Sequence, residues 1–132
     1  MRIIPTVILF LLISGCNIKE KSSSKSDENK PCNQITEYKV ISSMDTITAV
    51  IKGKIFNTSE MQQIANVELQ LKRDTINYQT LTDSLGDFEF IHISAGKYLL
   101  NTKHLDYQSI ENREIIVGSG TINKMVISLC NN

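Results

Sequence analysis

Apolar and polar residues alternate along several short stretches of this chain. Ile51 and Ile55 share one side of the chain with Gly53, whereas Lys52 and Lys54 share the other. Successive side chains of a β-strand point to opposite faces, so this pattern predicts a strand with one buried face. The same alternation recurs further on, in Val67–Leu71, Asn77–Thr82, Phe88–Phe90, Tyr98–Thr102, Ile115–Val117 and Met125–Leu129. The chain therefore has the pattern of a protein built from strands.

Short alternating stretches separated by turns predict an all-β fold class. Beyond the N-terminal apolar run, no stretch has the helical spacing of apolar residues. The pattern predicts seven strands, or eight if Ile35–Ser42, in which Tyr38 and Val40 alternate with polar residues, forms an extra edge strand. Short strands with frequent turns are typical of two packed antiparallel sheets, so we expect a β-sandwich over residues 35–130.

One stretch, TDSLGDFEFIHISAGKY, predicts a turn, a strand, a second turn and a further strand. Gly86 can adopt the positive φ that a tight turn needs, and the Asp83 side chain can bond nearby backbone amides. The two phenylalanines that follow share one face of the strand. The positions that define this hairpin are Asp83, Gly86, Phe88, Phe90, Gly96 and Tyr98. We expect the hairpin to bury one face against the rest of the chain.

This spacing resembles the carboxypeptidase regulatory-like domain, a transthyretin-like β-sandwich module. The pattern of that family runs turn Asp, Gly, aromatic-x-aromatic, Ala or Pro, Gly, x, Tyr. Gly53, between two isoleucines, is similar to the apolar-x-Gly-x-apolar pattern of the family's first strand. Tyr107 stands where the family has Gly-Tyr, although Asp106 replaces the glycine. The resemblance covers about residues 50–129 and implies that Tyr107 and the hairpin residues serve the core and the turns.

The N-terminal residues have the pattern of a lipoprotein signal peptide. Arg2 precedes an apolar run from Ile3 to Ile13, which is shorter than the ~20 apolar residues of a membrane-spanning helix. A transmembrane anchor is the alternative interpretation of this run. Residues 13–16, Ile-Ser-Gly-Cys, resemble the bacterial lipobox. That resemblance implies a signal peptide over residues 1–15, cleavage before Cys16, and acyl chains on Cys16 that would hold the protein to a membrane.

Residues 16–34 are expected to form a flexible tether. The segment is polar, has no aromatic residue, and cannot bury enough surface to offset its ordering entropy. Lys19 and Glu20 partly match the Lys-plus-acidic export signal of some Bacteroidota surface lipoproteins, although a solvated linker is the simpler interpretation. Asn17 is not the Asp that retains many enterobacterial lipoproteins in the inner membrane. We therefore expect a Bacteroidota-type outer-membrane lipoprotein, on the periplasmic or the surface face.

Two cysteines, Cys32 and Cys130, remain after the lipobox cysteine is set aside. They lie just outside the two ends of the patterned region, and disulfides persist in exported proteins. A Cys32–Cys130 disulfide is therefore the expectation, and two free thiols are the alternative. A nucleophilic role for Cys130 is disfavoured because the chain supplies no partner base near it.

The residues that commonly carry chemistry do not form a recognisable constellation. His92 and His104 are the only histidines, and neither lies at a metal-binding spacing from Cys, Asp or Glu. His92 is interpreted as a half-exposed strand residue. Asp83 and Asp87 flank one turn and offer oxygens to calcium, but calcium takes about six to eight oxygens, so a structural turn is favoured. We expect no catalytic residue, no metal and no cofactor.

The expected function is that of a binding or structural module without catalysis. Basic and acidic residues are equal in number, 14 of each, which gives no reason to expect a nucleic-acid partner. The expected partners are the membrane, through Cys16, and an envelope protein that pairs with an edge strand at Ile35–Ser42. The alternatives are an accessory domain, a small enzyme or a ligand carrier with a site in the sandwich-end loops around His104 and Tyr107. An isopeptide crosslink between Lys52 or Lys54 and Asn123 is a weaker alternative because both lysines are expected to point outward.

Overall fold

The computed structural model describes residues 32–132, and within this part of the chain every regular element is a strand. The strands are β1 (Gln34–Ser43), β2 (Ala49–Asn57), β3 (Glu68–Arg73), β4 (Ile76–Leu81), β5 (Asp87–Ile93), β6 (Gly96–Lys103), β7 (Arg113–Val117) and β8 (Thr121–Leu129). The all-β prediction is confirmed, and the extra strand expected at Ile35–Ser42 is β1. The predicted signal peptide, the lipidated Cys16 and the tether up to residue 31 lie outside the described residues.

The strands form two four-stranded sheets that pack as a sandwich. Sheet A has the order β1-β8-β2-β5, and sheet B has the order β4-β3-β6-β7. Neighbouring strands are antiparallel, except that β2 and β8 are parallel to each other. β1 forms one edge of sheet A, and β8, the last strand in the sequence, lies between β1 and β2.

The inward-facing side chains of both sheets form one hydrophobic core. Alternate residues along β2, β3, β6 and β8 are buried, which is the pattern of a sheet with one face turned to the core. Each large apolar side chain that is fully buried stabilises the fold by about 1.5–3 kcal/mol. The largest fully buried side chains are Tyr98, Ile51, Ile55, Leu69, Leu71, Ile93, Leu100, Met125, Ile127, Leu129, Val67 and Val117.

Gly53 makes room for an aromatic pair in this core. Gly53 on β2 lies opposite Phe88 on β5, and a Cβ at Gly53 would overlap the Phe88 ring and the carbonyl oxygen of Met125. Phe88 and Phe90 are both buried, and their rings meet edge to face with centroids 6.0 Å apart. The glycine therefore lets the Phe88 ring approach the backbone of the central strand.

A bulge near the end of β5 changes which side chains face the core. Ala49 pairs with Ile93, whereas Ile51 pairs with Phe90, so β5 carries one extra residue between the two pairs. His92 has a φ of 54° within this bulge. Strict alternation from Phe90 would turn His92 inward, but the extra residue leaves His92 exposed and buries Ile93. His92 was expected to be a half-exposed strand residue, and its side chain is exposed because of the bulge.

The turn before β5 is held by the side chain of Asp83. Its Oδ1 accepts hydrogen bonds from the backbone N–H groups of Leu85 and Asp87, each at 2.9 Å. Gly86 has a φ of 74°, and its carbonyl oxygen accepts a bond from the N–H of Ile55 at 2.9 Å. This last bond attaches the turn to the end of β2.

The disulfide between Cys32 and Cys130 is present, which confirms the expected pairing. The two Cα atoms are 5.4 Å apart, and the residues are separated by 98 positions in the sequence. Asn33 supports the junction because its Oδ1 accepts a 3.1 Å hydrogen bond from the backbone N–H of Cys130. The start of β1 is therefore bound covalently to the end of β8.

Replacing Gly86 with valine should destabilise the protein. A β-branched side chain at positive φ costs about 1 kcal/mol or more, and a Cβ at Gly86 would also lie 2.6 Å from the carbonyl oxygen of Ile55. Urea denaturation should show a clear loss of unfolding free energy for Gly86→Val. Gly118→Val is the control, because that φ is not positive and the nearest atom is the Thr121 methyl carbon at 3.2 Å. Equal midpoints for Gly86→Val and wild type would contradict this account of the turn.

Removing the disulfide should lower stability through the unfolded chain. Closing a loop of about 100 residues restricts the unfolded state by up to about 4.7 kcal/mol in the chain-entropy model. Cys130→Ser should therefore lose up to that amount of unfolding free energy in urea denaturation. A reductant should bring the wild type down to the level of the variant while leaving the variant unchanged. A wild type that is insensitive to reductant and no more stable than Cys130→Ser would argue against this contribution.

Candidate functional site

The predicted end-loop site around His104 and Tyr107 is built from local contacts. The two rings meet edge to face with centroids 5.1 Å apart, and the residues form an isolated antiparallel bridge. The Nδ1 atom of His104 accepts a 3.1 Å hydrogen bond from the backbone N–H of Asp106. Tyr107 also bridges to Asn131 and packs against the core. The two side chains therefore hold the loop after β6 against the end of the chain.

A cavity of about 360 Å³ lies beside this loop and opens to solvent at the same end of the sandwich. Its lining residues are Asn66, Glu68, Leu81, Lys103, His104, Leu105 and Asp106. Leu105 is 91% exposed, and Leu81 is 60% exposed. The cavity thus combines charged groups with two exposed leucines.

The carboxylates that were weighed as calcium ligands have other partners. Asp83 is engaged by backbone amides of its own turn, and the Asp87 carboxylate lies 3.6 Å from the Lys54 ammonium. Within residues 32–132, no group of three or more His, Cys, Asp or Glu residues could hold a metal ion. In the same residues, no helix is long and apolar enough to cross a membrane.

The second turn of the hairpin places Gly96 and Tyr98 against Arg73. Gly96 has a φ of 152°, and the Arg73 guanidinium lies where its Cβ would be. Arg73 also donates a 2.7 Å bond to the carbonyl oxygen of Ala95 and lies over the Tyr98 ring, 5.9 Å from its centroid. The buried Tyr98 donates its hydroxyl proton to the carbonyl oxygen of Ser94 at 2.7 Å. Burial, followed by the neighbouring Tyr78, raises the pKa of Tyr98.

The outer face of sheet A carries a row of lysines that acidic side chains partly neutralise. Lys39, Lys124 and Lys52 lie side by side on three neighbouring strands. Glu37 lies 2.8 Å from Lys39 and 3.5 Å from Lys124, and its hydrogen bond with Lys39 lowers the pKa of the Glu37 carboxyl. Glu89 lies opposite Lys52 on the next strand. Such exposed ion pairs contribute at most about 1 kcal/mol each to the stability of the fold. We therefore interpret this face as a solvent-exposed surface of alternating charges.

The proposed isopeptide partners lie on opposite faces of sheet A. Asn123 is buried, and its amide nitrogen donates to the carbonyl oxygen of Val50 at 3.2 Å and to the Thr121 hydroxyl at 2.9 Å. Lys52 is exposed on the outer face, and Lys54 pairs there with Asp87. A lysine–asparagine crosslink is therefore excluded by the direction of the side chains.

The outer face of sheet B carries a row of amides. Gln79, Gln70 and Asn101 lie side by side on β4, β3 and β6. The side-chain oxygen of Asn101 accepts a 2.9 Å bond from the backbone N–H of Asn112. Beside this row is a concavity of about 370 Å³, lined by Glu68, Gln70, Lys72, Asn101, Thr102, Lys103, Ser109, Ile110, Glu111 and Asn112. This face can accept and donate hydrogen bonds across three strands.

On one side of the sandwich, the edge strands β1 and β7 are joined to each other. The Tyr38 hydroxyl on β1 donates a 2.9 Å hydrogen bond to the carbonyl oxygen of Ile116 on β7. β1 also has two register shifts, one between Ile35 and Glu37 and one between Val40 and Ser42. Tyr38 packs against the core, as the alternation predicted, whereas Val40, which keeps the phase of Tyr38, is 58% exposed on this edge strand.

The edge strands β4 and β5 lie on the other side of the sandwich. The Tyr78 hydroxyl on β4 lies 3.5 Å from the Ser94 hydroxyl and accepts a 3.3 Å bond from the Ser94 backbone N–H. These hydrogen bonds lower the pKa of Tyr78. The Tyr78 and Tyr98 rings meet edge to face with centroids 5.8 Å apart. One tyrosine thus ties β4 to the turn that follows β5.

The fold and its surfaces define a transthyretin-like β-sandwich. The family model of the BOS complex subunit NOMO1-like, second beta sandwich domain, matches residues 49–128, and the chain belongs to this family of β-sandwich domains. The resemblance seen in the hairpin residues is therefore right in its fold. The matched residues leave out β1 and both cysteines of the disulfide. No curated protein matches the chain.

Solved structures of similar shape come from proteins of different kinds. The pilus 2b backbone protein of group B streptococcus is similar with a TM-score of 0.52 and 15% identity, over 63% of this chain and 41% of that one. A candidate carbohydrate-binding protein from Bacteroides uniformis is similar with a TM-score of 0.54 and 14% identity, over 62% of this chain and 41% of that one. The 3-chlorocatechol 1,2-dioxygenase of Rhodococcus opacus 1CP is similar with a TM-score of 0.52 and 11% identity, over 67% of this chain and 62% of that one. The chain spans less than two thirds of each of these proteins, and the likeness shows the fold alone.

The edge strand β4 is the surface that sequence reasoning missed. The sequence favoured Ile35–Ser42 as the pairing edge, because that segment was expected to form an extra edge strand and edge strands expose backbone groups. The available signal was the composition of β4, INYQTL, which has neither a charged residue nor a proline. Natural edge strands commonly carry such residues to discourage pairing with other chains.

Ionisation of the Tyr38 phenol should lower the free energy of unfolding at alkaline pH. Burial raises the pKa of Tyr38 from 10.0 to about 12, so the folded state favours the neutral phenol. This contribution is complete below pH 10 and is lost as the pH rises through about 12. Urea denaturation across that range should show a smaller alkaline loss for Tyr38→Phe than for wild type.

Tyr78 provides a control of opposite sign for this pH dependence. Hydrogen bonds from Ser94 lower the pKa of Tyr78, so its ionised form is favoured in the folded state and contributes stability above the ordinary tyrosine pKa. Tyr78→Phe should therefore steepen the alkaline loss. Identical pH profiles for wild type and Tyr38→Phe would show that the Tyr38 phenol does not contribute.

Proposed function

We propose that this protein is a lipid-anchored, non-catalytic module of the cell envelope that mediates protein–protein contact at the outer membrane. The observation that carries the proposal is the disulfide between Cys32 and Cys130. Disulfides form and persist in oxidising compartments such as the bacterial periplasm or the cell surface, and they are rare in the reducing cytosol. This disulfide would remain oxidised, and would stabilise the fold, in an exported protein.

The sequence before the disulfide supports attachment to a membrane. The lipobox-like residues 13–16 end in Cys16, and a polar segment separates that cysteine from Cys32. The disulfide joins Cys32 to the end of β8. A pull on the chain before Cys32 would therefore be borne by a covalent bond to β8 and not by the hydrogen bonds of β1 alone. In this proposal the polar segment is a tether, and the sandwich is the part that makes contacts.

Exposed apolar groups along one seam of the sandwich favour contact with protein. Ile116 is 69% exposed beside the β1–β7 junction, and Val40 and Ile41 on β1 are 58% and 53% exposed. Exposed apolar groups close together are a common feature of protein interaction surfaces. The similar pilus 2b backbone protein supports a structural use of this fold.

Carbohydrate binding, which the similar protein from Bacteroides uniformis suggests, has less support in this chain. The concavity beside the amide row on sheet B has no aromatic side chain in its lining. Pockets for small molecules are lined mainly by hydrophobic and aromatic groups with a few polar ones. We therefore favour protein as the partner.

Lipidation at Cys16 is the test of this proposal. Cells that express the wild type should incorporate labelled fatty acid into the protein and retain it in the membrane fraction. Cys16→Ser should lose both, because it removes the thiol that would carry the acyl chain. Cys130→Ser is the matched control, since it removes a cysteine but should keep the label. Label that persists in Cys16→Ser would contradict the proposal.

A further inference from the structure

The edge of β4 has a row of backbone groups that point away from the sheet. β4 lies at the end of sheet B and has a strand neighbour, β3, on one side only. Thr82, next in the chain, donates its N–H to Val67 and accepts from the N–H of Asn66, so both of its backbone groups face the β3 side. Backbone groups alternate in direction along an antiparallel strand, so those of Leu81, Gln79 and Asn77 face outward.

β4 is also the most regular of the four edge strands. Its register with β3 has no shift from Glu68–Leu81 to Arg73–Ile76, whereas β1 has two register shifts and β5 has one. The fourth edge, β7, is occupied in part because the carbonyl oxygen of Ile116 accepts the Tyr38 hydroxyl. A regular, uncharged edge is the kind that pairs readily with another strand.

Contacts along its length hold β4 in an extended conformation. At one end, the Arg73 guanidinium fixes the β3–β4 hairpin to the carbonyl oxygen of Ala95. In the middle, Tyr78 bonds Ser94 across the sandwich. At the other end, the buried Thr82 hydroxyl donates to the carbonyl oxygen of Ile64 at 2.7 Å. Little ordering entropy would then be lost when a second strand pairs with this edge.

We propose that β4 pairs with β4 of a second copy of this chain, antiparallel, about a two-fold axis through Gln79. In this register Gln79 lies opposite Gln79 of the second copy, and Asn77 of each copy lies opposite Leu81 of the other. Every outward backbone donor and acceptor of the strand then has a partner. An axis through Tyr78 or Thr80 would leave one of the three residues unpaired, so the axis through Gln79 is the one that uses the whole edge.

The side chains on the outer face of sheet B suit this symmetric arrangement. β4 carries no charge, so its own side chains do not repel those of the second copy. On β3, Lys72 is next to Asn77 and Glu68 is next to Leu81, so each row of the joined sheet has Lys72 of one copy and Glu68 of the other. The row with Gln70 and Gln79 would continue across both copies as a ladder of amides.

The concavity along this edge offers space for the second strand. It has a volume of about 410 Å³ and is lined by Glu68, Gln79, Thr80 and Leu81. Leu81 is 60% exposed at this place. The second copy would cover that leucine with its Asn77 and extend sheet B into one continuous sheet.

This inference rests on the proposed function for the expectation of protein contact, and it adds the β4 edge as a second contact surface whose partner is a second copy of the chain. A single pair of strands buries less area than the ~1,200 Å² that stable complexes bury. The contact is therefore weak for free molecules, and anchoring both copies in one membrane raises their effective concentration. The arrangement belongs to neighbouring copies at a membrane surface.

Cysteine trapping in the full chain tests the pairing. Directly opposite residues of a hydrogen-bonded pair have Cα atoms about 5.5 Å apart, which suits a disulfide. Gln79→Cys, expressed with its own N-terminal sequence in a bacterial envelope and treated with a mild oxidant, should give a covalent dimer on a non-reducing gel. Gln70→Cys is the matched control on the same row, because its two copies would lie about 14 Å apart, three strand spacings, and cannot be bridged. Val40→Cys places a thiol on the exposed part of β1 and reports random collision or pairing through that edge.

The expected result is at least about fivefold more dimer for Gln79→Cys than for either control, since only that position meets the disulfide distance. Equal yields from the three variants, no dimer from Gln79→Cys, or a dimer from Val40→Cys alone would overturn the proposal. If Gln79→Cys does not accumulate, Asn77→Cys combined with Leu81→Cys tests the same register, because these positions lie opposite each other. Peptide mapping should show that Cys32 and Cys130 remain joined to each other.

Adding Cys16→Ser to Gln79→Cys separates this inference from the proposed function. Loss of fatty-acid label together with a lower dimer yield supports both. If the wild type carries the fatty-acid label but Gln79→Cys gives no dimer, only the proposed β4 pairing is contradicted. If the wild type carries no label, and Gln79→Cys gives the same dimer yield with and without Cys16→Ser, only the proposed lipid anchor is contradicted.

Discussion

The close approach of the Phe88 ring to the backbone of β2 is the contact on which the rest of the sandwich depends. β2 is a central strand of sheet A, bonded to β8 on one side and to β5 on the other. A Cβ at Gly53 would overlap both the Phe88 ring on β5 and the carbonyl oxygen of Met125 on β8. Three strands of sheet A therefore approach closely at this one glycine, and the Phe88 ring that it admits packs edge to face on Phe90.

Polar groups inside the sandwich position the loops at one end. The Thr82 hydroxyl accepts the N–H of Val67 and donates to Ile64, which holds the segment before β3 against the end of β4. The Thr102 hydroxyl accepts the N–H of Ile110, which holds the loop after β6. In residues 32–132, every buried side-chain nitrogen or oxygen has a hydrogen-bond partner. Because unpaired buried groups are costly, these threonines specify the course of both loops.

The strands were predictable where one face is buried and no residue is inserted. Ile51 with Ile55, and Phe88 with Phe90, alternate as the sequence indicated, because burial on one face imposes a period of two. The bulge that exposes His92 was not predictable, since an inserted residue changes the phase without leaving a signal in composition. Val40 keeps the phase of Tyr38 yet is exposed on the edge strand β1, and periodicity does not indicate an edge position.

The surfaces were less predictable than the core. Whether a strand lies at the edge or in the centre of a sheet depends on the order in which distant segments meet, and periodicity does not contain that order. β4 alternates much as other strands do, yet its position at the end of sheet B is what leaves Gln79 with outward backbone groups. The cysteine pair was easier to predict, because only two cysteines remained once Cys16 was assigned to the lipobox-like residues.

The position of β8 between β1 and β2 has a consequence for the order of folding. Sheet B consists of strands that lie within residues 68–117, so its pairings are available before the end of the chain has been synthesised. Sheet A has no link between β1 and β2 except through the last strand, and its largest loop closures therefore come late. A ribosome or a translocation channel that still holds the C-terminal segment would keep sheet A open. Sheet A is therefore completed only once β8 is free to pair with both β1 and β2.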